Sequence, residues 1–203
     1  MAAYDRYTAI GAREDLTDVI YDISPTDTPI MSSIGKTKAT SVNHEWQTDA
    51  LAAATTSNAL VEGASASEAT ITPTTRLGNL TQIVGKTVMV SGTLLASDLA
   101  GRKSEMAYQL AKASAEIKRD IETIITANQA QAAGTSGSVA RKMSSLLSYI
   151  KINTNKSAGT TAGVDPTTIG VSVRTDGTTR TFTETILKDV IAKVFASGGT
   201  PSA

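Results

Sequence analysis

The chain has 203 residues, with 19 Lys+Arg against 19 Asp+Glu and so no formal net charge. That balance excludes a protein coated in basic side chains for wrapping nucleic acid, though a local basic patch remains open. With no cysteine and one histidine, His44, disulfide staples, thiolate zinc sites, cysteine nucleophiles and two-histidine metal sites are excluded together.

The length fits one ordinary domain or a piece of something larger. Apolar residues make up 40% but aromatics only 4%. The core must therefore come from Ala, Val, Ile and Leu with little ring packing, and burial between subunits is expected to supply the remainder. No run of 18 apolar residues suggests a membrane span. The first 15 residues, MAAYDRYTAIGARED, lack the apolar stretch of a signal peptide.

Residues 1–11 read as an extended polar arm. Leu16, Val19, Ile20 and Ile23 then recur at helical spacing and predict a short amphipathic helix, stopped by Ser24-Pro25. Thr28-Pro29 has the form of an N-cap followed by proline at the first helical position, with Ile30, Met31 and Ile34 on one side and Gly35 at the end. Two helical pieces this short should lie on something else. The acidic residues Glu14, Asp15, Asp18, Asp22 and Asp27 lack the spacing of a calcium loop and read as a solvated face.

Residues 41–47 alternate, with Val42, His44 and Trp46 on one face and Asn43, Glu45 and Gln47 on the other. Residues 50–75 hold mostly Ala, Ser, Thr and Gly, too little apolar surface for a core element. Residues 77–91 are rich in β-branched side chains and predict a second strand. Pairing of the two strands across a polar tip of about 25 residues would make a protruding hairpin, and a loop that long usually marks function. Trp46, the only tryptophan, is either an interface anchor or the cover of its own hairpin base.

The strongest periodic signal lies at 102–127. Met106, Leu110, Ala113, Ile117, Ile121 and Ile124 form one narrow stripe, and Lys112–Glu116 and Lys118–Glu122 are spaced for ion pairs on the other face. An uninterrupted helix of about 40 Å is expected, acting as a strut. Residues 128–139 read as a linker. Residues 140–150 read as a short helix with Met143, Leu146, Leu147 and Ile150 on one side, and Ile169, Val171 and Val173 as a possible strand. Thr181 and Glu184 have capping-box spacing. Leu187, Val190, Ile191, Val194 and Phe195 follow as one helical face, ended by Gly198-Gly199. That face needs a partner layer. With no strand after it, the chain reads as the N-terminal part of a longer protein, its last helix partly exposed.

Candidate chemistry is sparse. His44 and Glu45 fall on opposite faces of a strand and cannot act as a pair. No G-x-S-x-G elbow or phosphate-binding loop occurs. The basic spots at 101–103 and 140–142 are expected to balance carboxylates on neighbouring elements or subunits. No catalytic, cofactor or metal residue is assigned.

Four segments together carry a resemblance: REDL (13–16), SPTDTP (24–29), HEWQTD (44–49) and GRKSE (101–105). With their surroundings they resemble the major capsid (major head) proteins of tailed bacteriophages, over residues 4–199. The resemblance implies an α+β protomer of the Hong Kong 97-type fold: an N-terminal arm (1–38), an extended β-hairpin or E-loop (39–92), a peripheral domain with a spine helix (93–133), and the beginning of an axial domain (134–203) whose remainder is missing. It implies a structural subunit that self-assembles in hexamers and pentamers into the icosahedral shell around phage DNA, localised to the virion after assembly in the host cytoplasm. It also implies no enzymatic activity, no cofactor and no membrane. Partners implied are a portal, a separate scaffolding protein, since no long helical extension precedes the arm, and packaged DNA through weak non-specific contact. Candidate contacts between subunits are Tyr4, Tyr7, Arg13 and Glu14 in the arm and Glu45, Trp46, Arg76 and Lys86 in the hairpin. The alternative is another structural virion protein of a tailed phage, from the tail or the capsid decoration, which would need short strands every 8–12 residues.

Overall fold

The computed structural model describes residues 20, 25–65, 68, 70–157 and 162–201. The helix expected over 16–23 lies, apart from Ile20, outside the described residues. The remainder is a mixed α+β chain with one long helix and one β-hairpin. Two compact units are present. One holds the described residues up to Ile34 together with Val84–Glu122, the other Gly35–Ile83 together with Thr123 onward.

In the first unit, helix α1 (Pro29–Ser33) starts where the proline rule places it, with Thr28 at the N-cap and Pro29 at the first position. The Thr28 side chain makes no cap hydrogen bond. The exposed donors are met from elsewhere: the Glu122 carboxylate accepts from Ile30 N at 3.0 Å and Met31 N at 2.8 Å. Helix α3 (Glu105–Thr126) is the predicted long helix, shortened to 22 residues, or about 33 Å. Ser104 caps it, its hydroxyl accepting from Ala107 N at 3.4 Å. Within the stripe only Ala113 is buried, while Met106 and Leu110 stay exposed.

The ion pairing expected along α3 is replaced by contacts to other segments. Glu116 takes Lys86 at 3.0 Å, and Lys86 also reaches Asp120 at 3.2 Å. Lys86 belongs to a stretch, 81–91, predicted as strand but carrying no ladder. The reason is register. Strand β1 (Asn43–Thr48) pairs antiparallel with β2 (Thr75–Leu80), Asn43 facing Leu80, and the last rung is Thr81 N to Val42 O at 2.8 Å. Beyond it, among the described residues, no second strand is present to pair with. The short helix α2 (Gly92–Leu95) follows, its N-terminus capped by the Ser91 hydroxyl.

The second unit corrects four expectations. Residues 128–139 are not a linker: Ala132 bridges Lys142 and Thr135 bridges Val139, closing a small antiparallel turn. Residues 140–150 yield only a single 3-10 turn, Leu146–Ser148. There Ser144, Ser145 and Ser148 are buried, and Met143, Leu146 and Ile150 are not. Serine hydroxyls offer the backbone an alternative to a helix, and Ser145 takes it, pairing with both N and O of Gln129. Residues 169–173 form a turn in which Ser172 N donates to Thr168 O. Gly170 sits within it at φ 77°, donating to Ser148 O and accepting from Gln131 N. Finally, α4 (Glu184–Ala196) starts after Thr183, which caps without a side-chain bond, so Thr181 forms no capping box. Its far end is as expected. Gly198, at φ 84°, donates to Phe195 O and Gly199 to Val194 O, the paired closure that a left-handed residue permits.

Candidate functional site

Alternation along β1 places His44 and Trp46 on one face of the hairpin, and register adds Leu77 and Asn79. That face packs on residues 144–149. The Trp46 ring lies 5.8 Å from the Tyr149 ring. Asn79 Oδ1 accepts from Ser144 N and Ser144 Oγ, each at 2.9 Å, and Asn79 Nδ2 donates to Ser144 O at 3.1 Å. Ser144 has one hydroxyl proton, shared between Asn79 Oδ1 and the Tyr149 oxygen, 3.0 Å away. Tyr149 in turn donates to Gly78 O at 3.1 Å. Burial pushes the Tyr149 phenol above its ordinary pKa, the Ser144 hydrogen bond pulling partly back. Arg141 completes the seat by donating to Thr81 O and, at 3.2 Å, to Thr81 Oγ1. Among the described residues, Arg141 of the 140–142 spot thus meets a carbonyl and a hydroxyl rather than a carboxylate of a neighbouring element. Its counterpart Arg102 does pair with a carboxylate, that of Glu105, and lies over the Tyr108 ring.

The other hairpin face is polar. Glu45 and Arg76 meet diagonally at 3.5 Å, and Asn43 Nδ2 donates to Glu45 at 3.0 Å. Gly78, opposite Glu45, leaves room for this arrangement, since a Cβ there would come within 3.0 Å of Glu45 Cγ. His44 packs its ring 6.1 Å from Trp46, away from Glu45.

Between β1 and β2 the excursion of residues 49–74 holds no regular element among the described residues. Its few large apolar side chains touch almost nothing: Leu51 is 100% exposed, Leu60 87%, Val61 81% and Ile71 88%. Helix α4 repeats the pattern, with Leu187, Ile191 and Phe195 exposed on its predicted face.

The predicted contact residues are therefore distributed as follows. Glu45 and Arg76 are brought together in an exposed pair, and Trp46 covers the base of its own hairpin while staying 36% exposed. Lys86 is drawn to α3, where hydrogen bonds to Glu116 and Asp120 hold its pKa above the usual lysine value. Tyr4, Tyr7, Arg13 and Glu14 lie outside the described residues. Sequence reasoning missed Asn79, Ser144 and Tyr149, because the partners are 65 and 71 residues apart and no spacing connects them. It also missed the polar knot at 153–193. There Asp165 accepts from Lys156 at 2.7 Å and Thr154 at 2.8 Å. Asp189 takes Lys193 and Asn155, both at 2.6 Å. Burial opposes the Asp165 charge, but Lys156 and Thr154 outweigh it and its pKa falls below the usual carboxylate value. Lys193 and Asn155 lower that of Asp189. Among the described residues no group of three or more His, Cys, Asp and Glu side chains could hold a metal ion, and no helix is long and apolar enough to cross a membrane.

The presence of a hairpin seated on a polar pad, with a long uncovered excursion, and of a long helix among the described residues agrees with what the sequence comparisons find. The profile of the SU10 major capsid protein family matches residues 3–203. The chain belongs to this family. The resemblance read from the four sequence segments is borne out at that level. A relative, the major capsid protein of Escherichia phage Phieco32, is 41% identical over 125 residues, which cover 62% of this chain and 36% of that protein. The match thus spans about a third of the relative's length. Family membership replaces the tail or decoration alternative, and the long α3 agrees, since that alternative required a succession of short strands.

Proposed function

We propose that the chain is part of a major capsid subunit, a structural protein that packs in many copies into the icosahedral head of a tailed phage. Its product is packing, so it needs no catalytic constellation, and its place is the virion. The proposed arrangement is of the Hong Kong 97 type. Residues 1–38 serve as the arm, 39–92 as the extended hairpin, 93–133 as the peripheral part around α3, and 134–203 as the start of the axial part. Hexamers and pentamers, a separate scaffolding protein, a portal and weak contact with packaged DNA complete the reading.

The observation that carries it is the uncovered surface. Among the described residues, Leu51, Leu60, Val61 and Ile71 of the excursion and Leu187, Ile191 and Phe195 of α4 are all exposed. Ala113 is the one buried hydrophobic residue among those described. A closed shell covers such surface with identical neighbours, and symmetric repetition limits growth. The Glu45–Arg76 pair lies at the base of the excursion, on the hairpin face turned away from the pad, where a neighbour's approach would cover it.

The test is a replacement of residues 51–73 by a short Asn-Gly turn in the complete protein. Because Thr48 faces Thr75, the ladder can close without the excursion. The expected result is a folded subunit that forms no shells. Normal shells from this variant would overturn the role given to the excursion.

A further inference from the structure

A cavity of about 310 Å3 opens between residues 155–157, 163 and 174–180. Its walls are held backbone to backbone. Val164 and Thr175 exchange both hydrogen bonds at 2.9 Å, and a Cβ on Gly163 would meet Thr175 O at 2.9 Å and Gly177 N at 3.0 Å. Three cationic side chains line it: Lys156, Arg174 and Arg180.

Their charges are not equally spent. Lys156 is neutralised by Asp165 at 2.7 Å. Among the described residues Arg180 is fastened to neutral oxygens, donating to Asn155 O at 2.6 Å, to Lys156 O at 3.3 Å and to the Asn155 side-chain oxygen. Arg174 Nε, buried and without a hydrogen-bond acceptor among the described residues, makes a long ion pair of 3.9 Å with Asp176 Oδ1, which lines the same cavity, and the Arg174 charge also acts on Asp165. Asp176 itself is 89% exposed. Three cations thus share the cavity wall with one carboxylate, Asp176, and among the described residues no carboxylate is hydrogen-bonded to either arginine there, in a chain whose formal charge is zero. The Arg174 main chain is fixed in place by one amide, Asn128, which donates to Arg174 O and accepts from Arg174 N at 3.0 Å. The remaining lining includes the hydroxyls of Ser157, Thr178 and Thr179.

We propose that this cavity binds a phosphate group, held between the Arg174 and Arg180 guanidinium groups with threonine and serine hydroxyls on its remaining oxygens. Guanidinium forks match the geometry of tetrahedral oxyanions, and such charge-assisted bonds are the strong ones. The phosphate could be free orthophosphate or one phosphodiester of a nucleic-acid strand. The proposal rests on local charge and geometry alone, and its failure leaves the shell reading untouched.

The test titrates the full chain at low ionic strength with orthophosphate and, separately, with a 12-nucleotide oligothymidylate. Arg174→Gln should weaken orthophosphate binding about tenfold. Lys142→Gln, which removes the same charge from an exposed position outside the cavity, should change it less than about twofold. Asp176→Asn removes the exposed rim carboxylate and should tighten binding. That variant keeps the test decisive should Arg174→Gln fold poorly. Oligonucleotide binding with the same ranking, weakening as salt rises, would assign the phosphate to nucleic acid, whereas orthophosphate binding alone would assign it to a free anion. No saturable binding of either probe, or binding that Arg174→Gln, Asp176→Asn and Lys142→Gln leave equally unchanged, overturns the proposal.

Discussion

Replacing Asn79 with alanine should unseat the hairpin from its pad. The side chain makes three hydrogen bonds to Ser144, at 2.9, 2.9 and 3.1 Å. Each contributes about 1 kcal/mol net. Ser144 is only 2% exposed, so its N–H would be left without an acceptor and out of reach of water, at a further cost of about 1 kcal/mol. The expected loss for Asn79→Ala is therefore about 3–4 kcal/mol. Asn79→Asp keeps the acceptor that serves Ser144 N and Oγ but sets an oxygen against Ser144 O, so it should fall between wild type and alanine. The assay is urea unfolding followed by tryptophan fluorescence. Trp46, the one tryptophan, packs 5.8 Å from Tyr149 and reports on this unit specifically. A loss below about 0.5 kcal/mol for Asn79→Ala, or an aspartate variant less stable than alanine, would refute this account of the seat.

Four further outcomes follow from other sites. Glu122→Ala should speed amide exchange at Ile30 and Met31 by about tenfold or more, because among the described residues it removes the acceptor of those two N–H groups; unchanged exchange would show that α1 is held by other means. The lowered pKa values of Asp165 and Asp189 mean that their contribution is present above the unfolded-state value near 4 and is lost as pH falls through the depressed folded-state values. Acid titration of stability should thus show a downward slope below about pH 4 that Asp165→Asn makes shallower. Tyr149 has the opposite sign: its raised pKa gives a contribution present below about pH 10 and lost as pH rises through the folded-state value, and Tyr149→Phe should remove that alkaline slope. Gly170→Ala should cost more than Gly198→Ala. Both have positive φ, but a Cβ at Gly170 would lie 3.2 Å from the Tyr149 oxygen, while Gly198 has open space. Thermal melts of the two variants decide it.

What the sequence made legible was local. Pro29 after Thr28 marked α1, the uninterrupted stripe from Met106 to Ile124 marked α3, and Gly198-Gly199 marked the end of α4. Strand β1 and its pairing with β2 followed from alternation at 41–47. What failed depended on partners distant in sequence. The β-branched run 82–90 has strand propensity, yet strand geometry requires a neighbour, and β1 ends opposite Leu80. The apolar spacing at 143–150 suggested a helix, but Ser144 and Ser145 bond instead to Asn79 and Gln129. Glu116 and Glu122 were correctly placed on α3 and wrongly partnered, because Lys86 and the α1 backbone reach them first. The candidate contacts Glu45, Trp46 and Arg76 were legible as surface features of a hairpin. The pad that positions them was not, since serines give no periodic signal.

The most direct test of the account is sedimentation and negative-stain imaging of the product of the complete reading frame, expressed with a scaffolding protein supplied. Closed shells of uniform size are predicted. A stable monomer under those conditions would contradict the capsid reading and would leave the uncovered excursion and the exposed face of α4 without an explanation.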